Sequence, residues 1–74
     1  MDSDLRMIVA EVLGVPPESI GEDTSTQTEA RWDSLKHMNL VFALEDRYDV
    51  RFDDAEIPEL TSIAAIESAL ASRR

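Results

Sequence analysis

Two adjacent residues, Asp33 and Ser34, head the stretch SLKHMNLVFALEDRY, and their types and position could do chemistry. Asp33 is a residue type that caps helix starts, and the apolar spacing behind it predicts a helix from about Ser34 to Tyr48. A side chain in the first turn of a helix lies beside backbone N–H groups that lack intrahelical partners, at the positive end of the dipole. That place favours a phosphate, so the Ser34 hydroxyl is well placed to carry a phosphoester. Asp-Ser is also simply how helices begin, and an unmodified cap is the competing reading. His37 lies close by, but the chain has no cysteine and no second histidine to partner it. It reads as a packed or half-buried structural histidine, and no catalytic residue is expected. The acidic loop GEDTSTQTEARW lacks the alternating ligands and central glycine of an EF-hand, so no metal site is expected either.

The helix that must position Ser34 has an unusual surface. On a wheel of about 100° per residue, His37, Leu40, Val41, Leu44 and Tyr48 cover one arc, enough for a core stripe. Leu35, Met38 and Phe42 form a second arc, on the far side of Ser34 and Glu45. Both cannot face the same small core. Leu40, Val41 and Leu44 are expected inside, and Leu35, Met38 and Phe42 are expected to keep substantial exposure as an interaction patch.

The other elements follow from the same periodicity. Leu5, Ile8, Val9 and Val12 mark one stripe of a first helix from about Ser3 to Leu13, capped by Asp2 or Ser3 and stopped by Gly14 and the Pro16-Pro17 pair. A long connection from Val15 to Trp32 follows, with Ile20 and Trp32 as its tethers into the core. The region YDVRFDDAEIPEL predicts a turn with a short helix at best; Asp53 and Glu56 have capping-box spacing, and Pro58 limits the turn. A last helix begins at Thr61 or Ser62 and turns Ile63, Ile66 and Leu70 inward, with Arg73 and Arg74 suiting its dipole. Nothing alternates with period two. The expected fold is all-α, a small four-helix bundle of three main helices and one short one.

At 74 residues the chain is expected to form a single domain, residues 1–74. The formal net charge of −9, from 16 acidic and 7 basic residues, argues against nucleic acid and anionic membrane surfaces and favours basic partners. No apolar run reaches the roughly 18 residues of a membrane span, and the acidic N-terminus is wrong for a targeting peptide. The lack of cysteine fits a reducing cytoplasm.

Asp33-Ser34-Leu35, then MNLVFALEDRYDVRF and IPELTSIAAIESAL, together resemble the acyl and peptidyl carrier proteins over nearly the whole chain. The opening IVAEVLGV and the long loop fit the same pattern. The resemblance implies that Ser34 is esterified by 4′-phosphopantetheine, which a phosphopantetheinyl transferase takes from coenzyme A with the help of magnesium. The arm's thiol would hold an acyl or aminoacyl cargo as a thioester. Asp33 would help the transferase's metal and basic residues find the serine, with Leu35 beside it. Leu35, Met38 and Phe42 would be the apolar surface that loading and biosynthetic enzymes grip, with Glu45, Asp46 and Asp49 supplying charge complementarity. The protein would be a carrier and not an enzyme, monomeric and cytoplasmic, and the start at Met1 with a short tail points to a free-standing one. Fatty-acid carriers commonly have a small residue or a glycine pair before the motif and an acid after it. This chain has Arg31-Trp32 and Lys36-His37, which points to a dedicated carrier for a specialised pathway. The alternative is an unmodified helical interaction domain that uses the Leu35, Met38 and Phe42 patch.

Overall fold

A computed structural model describes residues 3–73 of the chain. Three α-helices run in order, α1 (Ser3–Leu13), α2 (Ser34–Tyr48) and α3 (Ile63–Ala71), with single 3₁₀ turns at Pro17–Ser19 and Ile57–Glu59. The expected short fourth helix is the second of these turns. Pro58 supplies no N–H and disfavours helical backbone at Ile57, so the segment stops at one turn. The only strand-like pairing among the described residues is an isolated bridge between Ser25 and Ser62.

Capping residues set the helix ends. α1 ends in a Schellman motif: Gly14, at φ +74°, and Val15 both donate their N–H to the Ala10 carbonyl. The same motif ends α2, where Asp49 takes the left-handed position at φ 54° and Val50 N–H reaches the Glu45 carbonyl. Ser62 caps α3, its Oγ accepting the Ala65 N–H at 3.1 Å. The possible caps and dipole partners at Asp2 and Arg74 lie outside the described residues.

The core gathers Leu5, Val9 and Leu13 of α1, Leu40, Val41 and Leu44 of α2, and Ile63, Ile66 and Leu70 of α3, closed by Phe52 and Leu60. α1 is turned relative to the stripe read from its sequence. Ala10 and Leu13 are buried, whereas Ile8 and Val12 only flank the core. Ile20 and Trp32 are buried as the loop's tethers. The loop is also stitched to the start of α3: Thr26 N–H donates to the Thr61 carbonyl at 2.9 Å, and Ile63 N–H to the Thr24 carbonyl at 3.0 Å. Arg31 closes its two ends by donating to the Gly14 carbonyl at 3.0 Å.

Arg73 holds the end of α3 against the segment after α2. Its guanidinium donates to the carbonyls of Ala69 and Arg51, pairs with Glu56, and lies 4.7 Å from the Phe52 ring centroid. Glu56 also accepts the Asp53 N–H at 3.0 Å, the half of the capping box in which the glutamate reaches back. The Arg73 hydrogen bond, then the Asp53 N–H, hold the Glu56 carboxyl below its ordinary value of 4.5. A depressed carboxylate stabilises the fold above the unfolded-state value and loses that contribution as pH falls through the lowered folded value. Glu56→Gln should therefore lower the melting temperature at neutral pH. The gap to wild type should stay constant down to the ordinary glutamate range and close below it, as thermal melts across that range would record.

Candidate functional site

The site is built on the first turn of α2. Asp33 Oδ1 accepts the Lys36 N–H at 2.9 Å, and the Asp33 carbonyl accepts the His37 N–H at 2.8 Å. The cap is thus complete before Ser34, which occupies the first helical position and is exposed. Its hydroxyl has no hydrogen-bond partner among the described residues. The hydroxyls of Ser19, Ser25, Ser62 and Ser72 are all engaged with backbone. With the Lys36 amide taken by the cap, the Ser34 and Leu35 amides remain at the helix mouth without intrahelical partners. Hydroxyl, amides and dipole together fit a phosphodiester attached there.

The outward arc of α2 runs away from this mouth. Leu35 is 70% exposed, Phe42 60% and Met38 37%, while Leu40, Val41 and Leu44 are buried. Beyond Phe42 an open hollow is lined by Phe42, Glu45, Asp46, Asp49, Val50 and Arg51. The three acids expected to serve partners are not alike there. Asp46 is an exposed side chain with no structural task. Glu45 is half-buried and its Oε2 accepts the Phe52 N–H at 2.9 Å, so it holds the fold. Asp49 forms the left-handed helix stop. Arg51, which sequence reasoning gave no role, stands in the hollow with them.

His37 is half-buried, as expected, but it is not merely packed. Trp32 Nε1–H donates to His37 Nδ1 at 3.1 Å, and His37 Nε2 lies 2.7 Å from the Ile57 carbonyl oxygen. A signal for this pair existed in the sequence. Trp32 precedes the cap and His37 is the fourth helical residue, the spacing of a hydrophobic staple. Lys36 is the other feature of this turn: its ammonium has no ion pair among the described residues and sits where the dipole opposes a cation. Among the described residues, no group of three or more His, Cys, Asp or Glu side chains is placed to hold a metal ion. No helix among them is long and apolar enough to cross a membrane.

The sequence that builds this site has known relatives. The family described as "Phosphopantetheine attachment site" matches residues 3–70. An acyl carrier protein of Campylobacter curvus is 36% identical, over 85% of this chain and 82% of its own. Acyl carrier protein 3 of Ralstonia nicotianae is 34% identical, over 93% and 84% respectively. The chain belongs to the acyl carrier protein family. It is therefore a non-catalytic carrier with a covalently attached 4′-phosphopantetheine. A phosphopantetheinyl transferase and biosynthetic enzymes are its partners.

The two arcs of α2 make a measurable contrast in this carrier. Leu44→Ala should cost about 2–5 kcal/mol, as for a leucine in a closed core. Met38→Ala, on the outward arc, should cost less than about 1 kcal/mol. Urea unfolding of the two variants separates the arcs, and equal losses would contradict the assignment.

Proposed function

We propose that Ser34 carries the arm. The observation behind this reading is its exposed hydroxyl, without a partner among the described residues, at a helix mouth whose cap acceptor is Asp33. When bound, the arm supplies a thiol that holds acyl or aminoacyl cargo as a thioester, which this cysteine-free chain cannot supply itself. Ser34 Oγ would form the ester bond to phosphorus as the pyrophosphate bond of coenzyme A breaks, its proton passing to the transferase and adenosine 3′,5′-bisphosphate leaving. The Ser34 and Leu35 amides and the helix dipole then stabilise the phosphodiester charge. Asp33 keeps one oxygen on the Lys36 amide, and its other oxygen is available to the transferase's magnesium or basic residues.

Leu35, Met38 and Phe42 form the surface that partner enzymes grip. Asp46 is the free charge beside them, and Glu45 and Asp49 add field from positions fixed by the fold. Arg31-Trp32 and Lys36-His37 around the serine put positive charge where carriers of general fatty-acid synthesis commonly have none. They support a dedicated role in a specialised pathway of polyketide, lipid, modified-sugar or amino-acid-derived type. The chain works as a monomeric, cytoplasmic carrier domain over residues 1–74.

Incubation with coenzyme A, magnesium and a broad-specificity transferase, read by intact mass, tests the attachment. One phosphopantetheinyl adduct should appear on the wild type and on Ser62→Ala. Ser34→Ala should take none while keeping its helical circular dichroism, because Asp33 still caps α2. An adduct on folded Ser34→Ala would refute the assignment.

A further inference from the structure

The chain's single histidine joins three segments around the proposed attachment point. Trp32 is the last loop residue before the cap and is 3% exposed. Its indole nitrogen can only donate, so the His37 Nδ1 it meets at 3.1 Å is the bare ring nitrogen. The ring proton is then on Nε2, which donates to the Ile57 carbonyl at 2.7 Å. The indole and imidazole are also stacked, with centroids 6.2 Å apart and planes 29° from parallel. The imidazole thus ties the loop's end, the first turn of α2 and the Ile57–Glu59 turn into one unit. Ser34 and His37 are three residues apart and share a side of the helix, so this unit lies directly beside the serine.

Capping does not require this unit, because Asp33 already satisfies the Lys36 amide. Two aliphatic side chains at the same spacing would staple the chain equally well by contact alone. Hydrogen bonds at both ring nitrogens add direction. They fix the angle at which Trp32-Asp33 enters α2 and the placing of the turn at Ile57 against that face. The backbone that aims the Ser34 hydroxyl is the backbone so fixed.

Given attachment at Ser34, we propose that His37, acting through Trp32 and Ile57, is a positioning residue for transfer of the arm. It touches neither coenzyme A nor the reacting hydroxyl. It holds the serine's backbone at the angle the transferase requires. Small misplacements of a reacting group can cost up to about a hundredfold in rate. Loss of His37 therefore lowers kcat. KM for the carrier stays near wild type, because Leu35, Met38 and Phe42 are untouched. A merely structural histidine would affect stability and leave kcat alone.

The test is steady-state transfer of the arm from coenzyme A onto the full chain. The carriers compared are wild type, His37→Phe, His37→Gln, Trp32→Phe and Val12→Ala. Phenylalanine fills the ring's volume without bonding, and glutamine offers one acceptor and one donor. Val12 flanks the core on α1 and takes no part in the Trp32–His37–Ile57 hydrogen bonds, and its variant controls for lost stability. His37→Phe should lower kcat on the order of tenfold with KM changed by less than about twofold. Trp32→Phe should move kcat in the same direction by less, and His37→Gln should recover part of the loss. Val12→Ala should keep wild-type kcat. Amide exchange at Ile57, Glu59 and Leu60 should quicken in His37→Phe and Trp32→Phe while α1 stays protected. A kcat for folded His37→Phe equal to that of Val12→Ala overturns the inference. If His37→Phe does not fold, an unchanged kcat in Trp32→Phe overturns it. A wild type that accepts no arm overturns the attachment reading and this inference together, whereas normal wild-type transfer with unaltered variants overturns this inference alone.

Discussion

α2 carries two apolar arcs, and a domain of this size can bury only one of them. Small domains leave a large part of their surface in water, because surface falls more slowly than volume as chains shorten. Here α1 and α3 cover the arc of Leu40, Val41 and Leu44, and Phe52 and Leu60 close it. Among the described residues no element covers Leu35, Met38 and Phe42. The outward face of this carrier thus follows from the choice of inner arc. That choice also fixes which way the helix mouth points.

Charge is divided in a comparable way. The chain is strongly acidic, and several of its cations hold segments of the fold together. Arg73 binds the end of α3 to Glu56 and to backbone carbonyls, and Arg31 closes the long loop on Gly14. Arg47 meets Asp4 at 2.6 Å across α2 and α1, a pair exposed enough to contribute about 0–1 kcal/mol. Among the described residues Lys36 is in no such pair, although it stands in the turn where a cation is least favoured. Acids are divided too: Glu45 and Glu56 satisfy backbone amides, while Asp46 is left to the outside. The number of carboxylates therefore overstates the charge that a partner can engage.

The parts of the fold that depend on local spacing were legible in the sequence. Gly14 stops α1, Asp33 and Ser62 cap the next two helices, and the inner and outer arcs of α2 fall where the wheel puts them. Ile20 and Trp32 could be read as tethers because large apolar residues in a long polar loop have few other uses. The rotation of α1 could not be read. Ile8 and Leu13 are equally apolar, and only the neighbouring helices decide which of them is covered. The tasks of Glu45 and Asp49 were hidden for a similar reason. An acid near a helix end looks like surface charge until Phe52 folds back to present its amide, or until the chain needs a left-handed residue where no glycine stands. Near the mouth of α2, the exposed position of Ser34 and the exposure of Leu35, Met38 and Phe42 were legible. The partnership of His37 with Ile57 was not, since it joins residues 20 apart in the chain.

The position of Ser34 relative to its cap separates it from Ser62, the serine at the start of α3. Ser62 is itself the cap of α3, and its Oγ is held by the Ala65 amide. An ester on that oxygen would weaken its acceptor and crowd the amide it serves, at a typical cost of about 1 kcal/mol for a lost cap. Ser34 comes one residue later in its helix. Asp33 supplies the acceptor, with a carboxylate that also suits the positive end of the dipole. A group attached to Ser34 Oγ therefore leaves every bond of the cap in place and adds negative charge where the helix favours it. A displacement of one residue along the chain makes one serine a structural cap and leaves the other free to be modified without disturbing the helix that presents it.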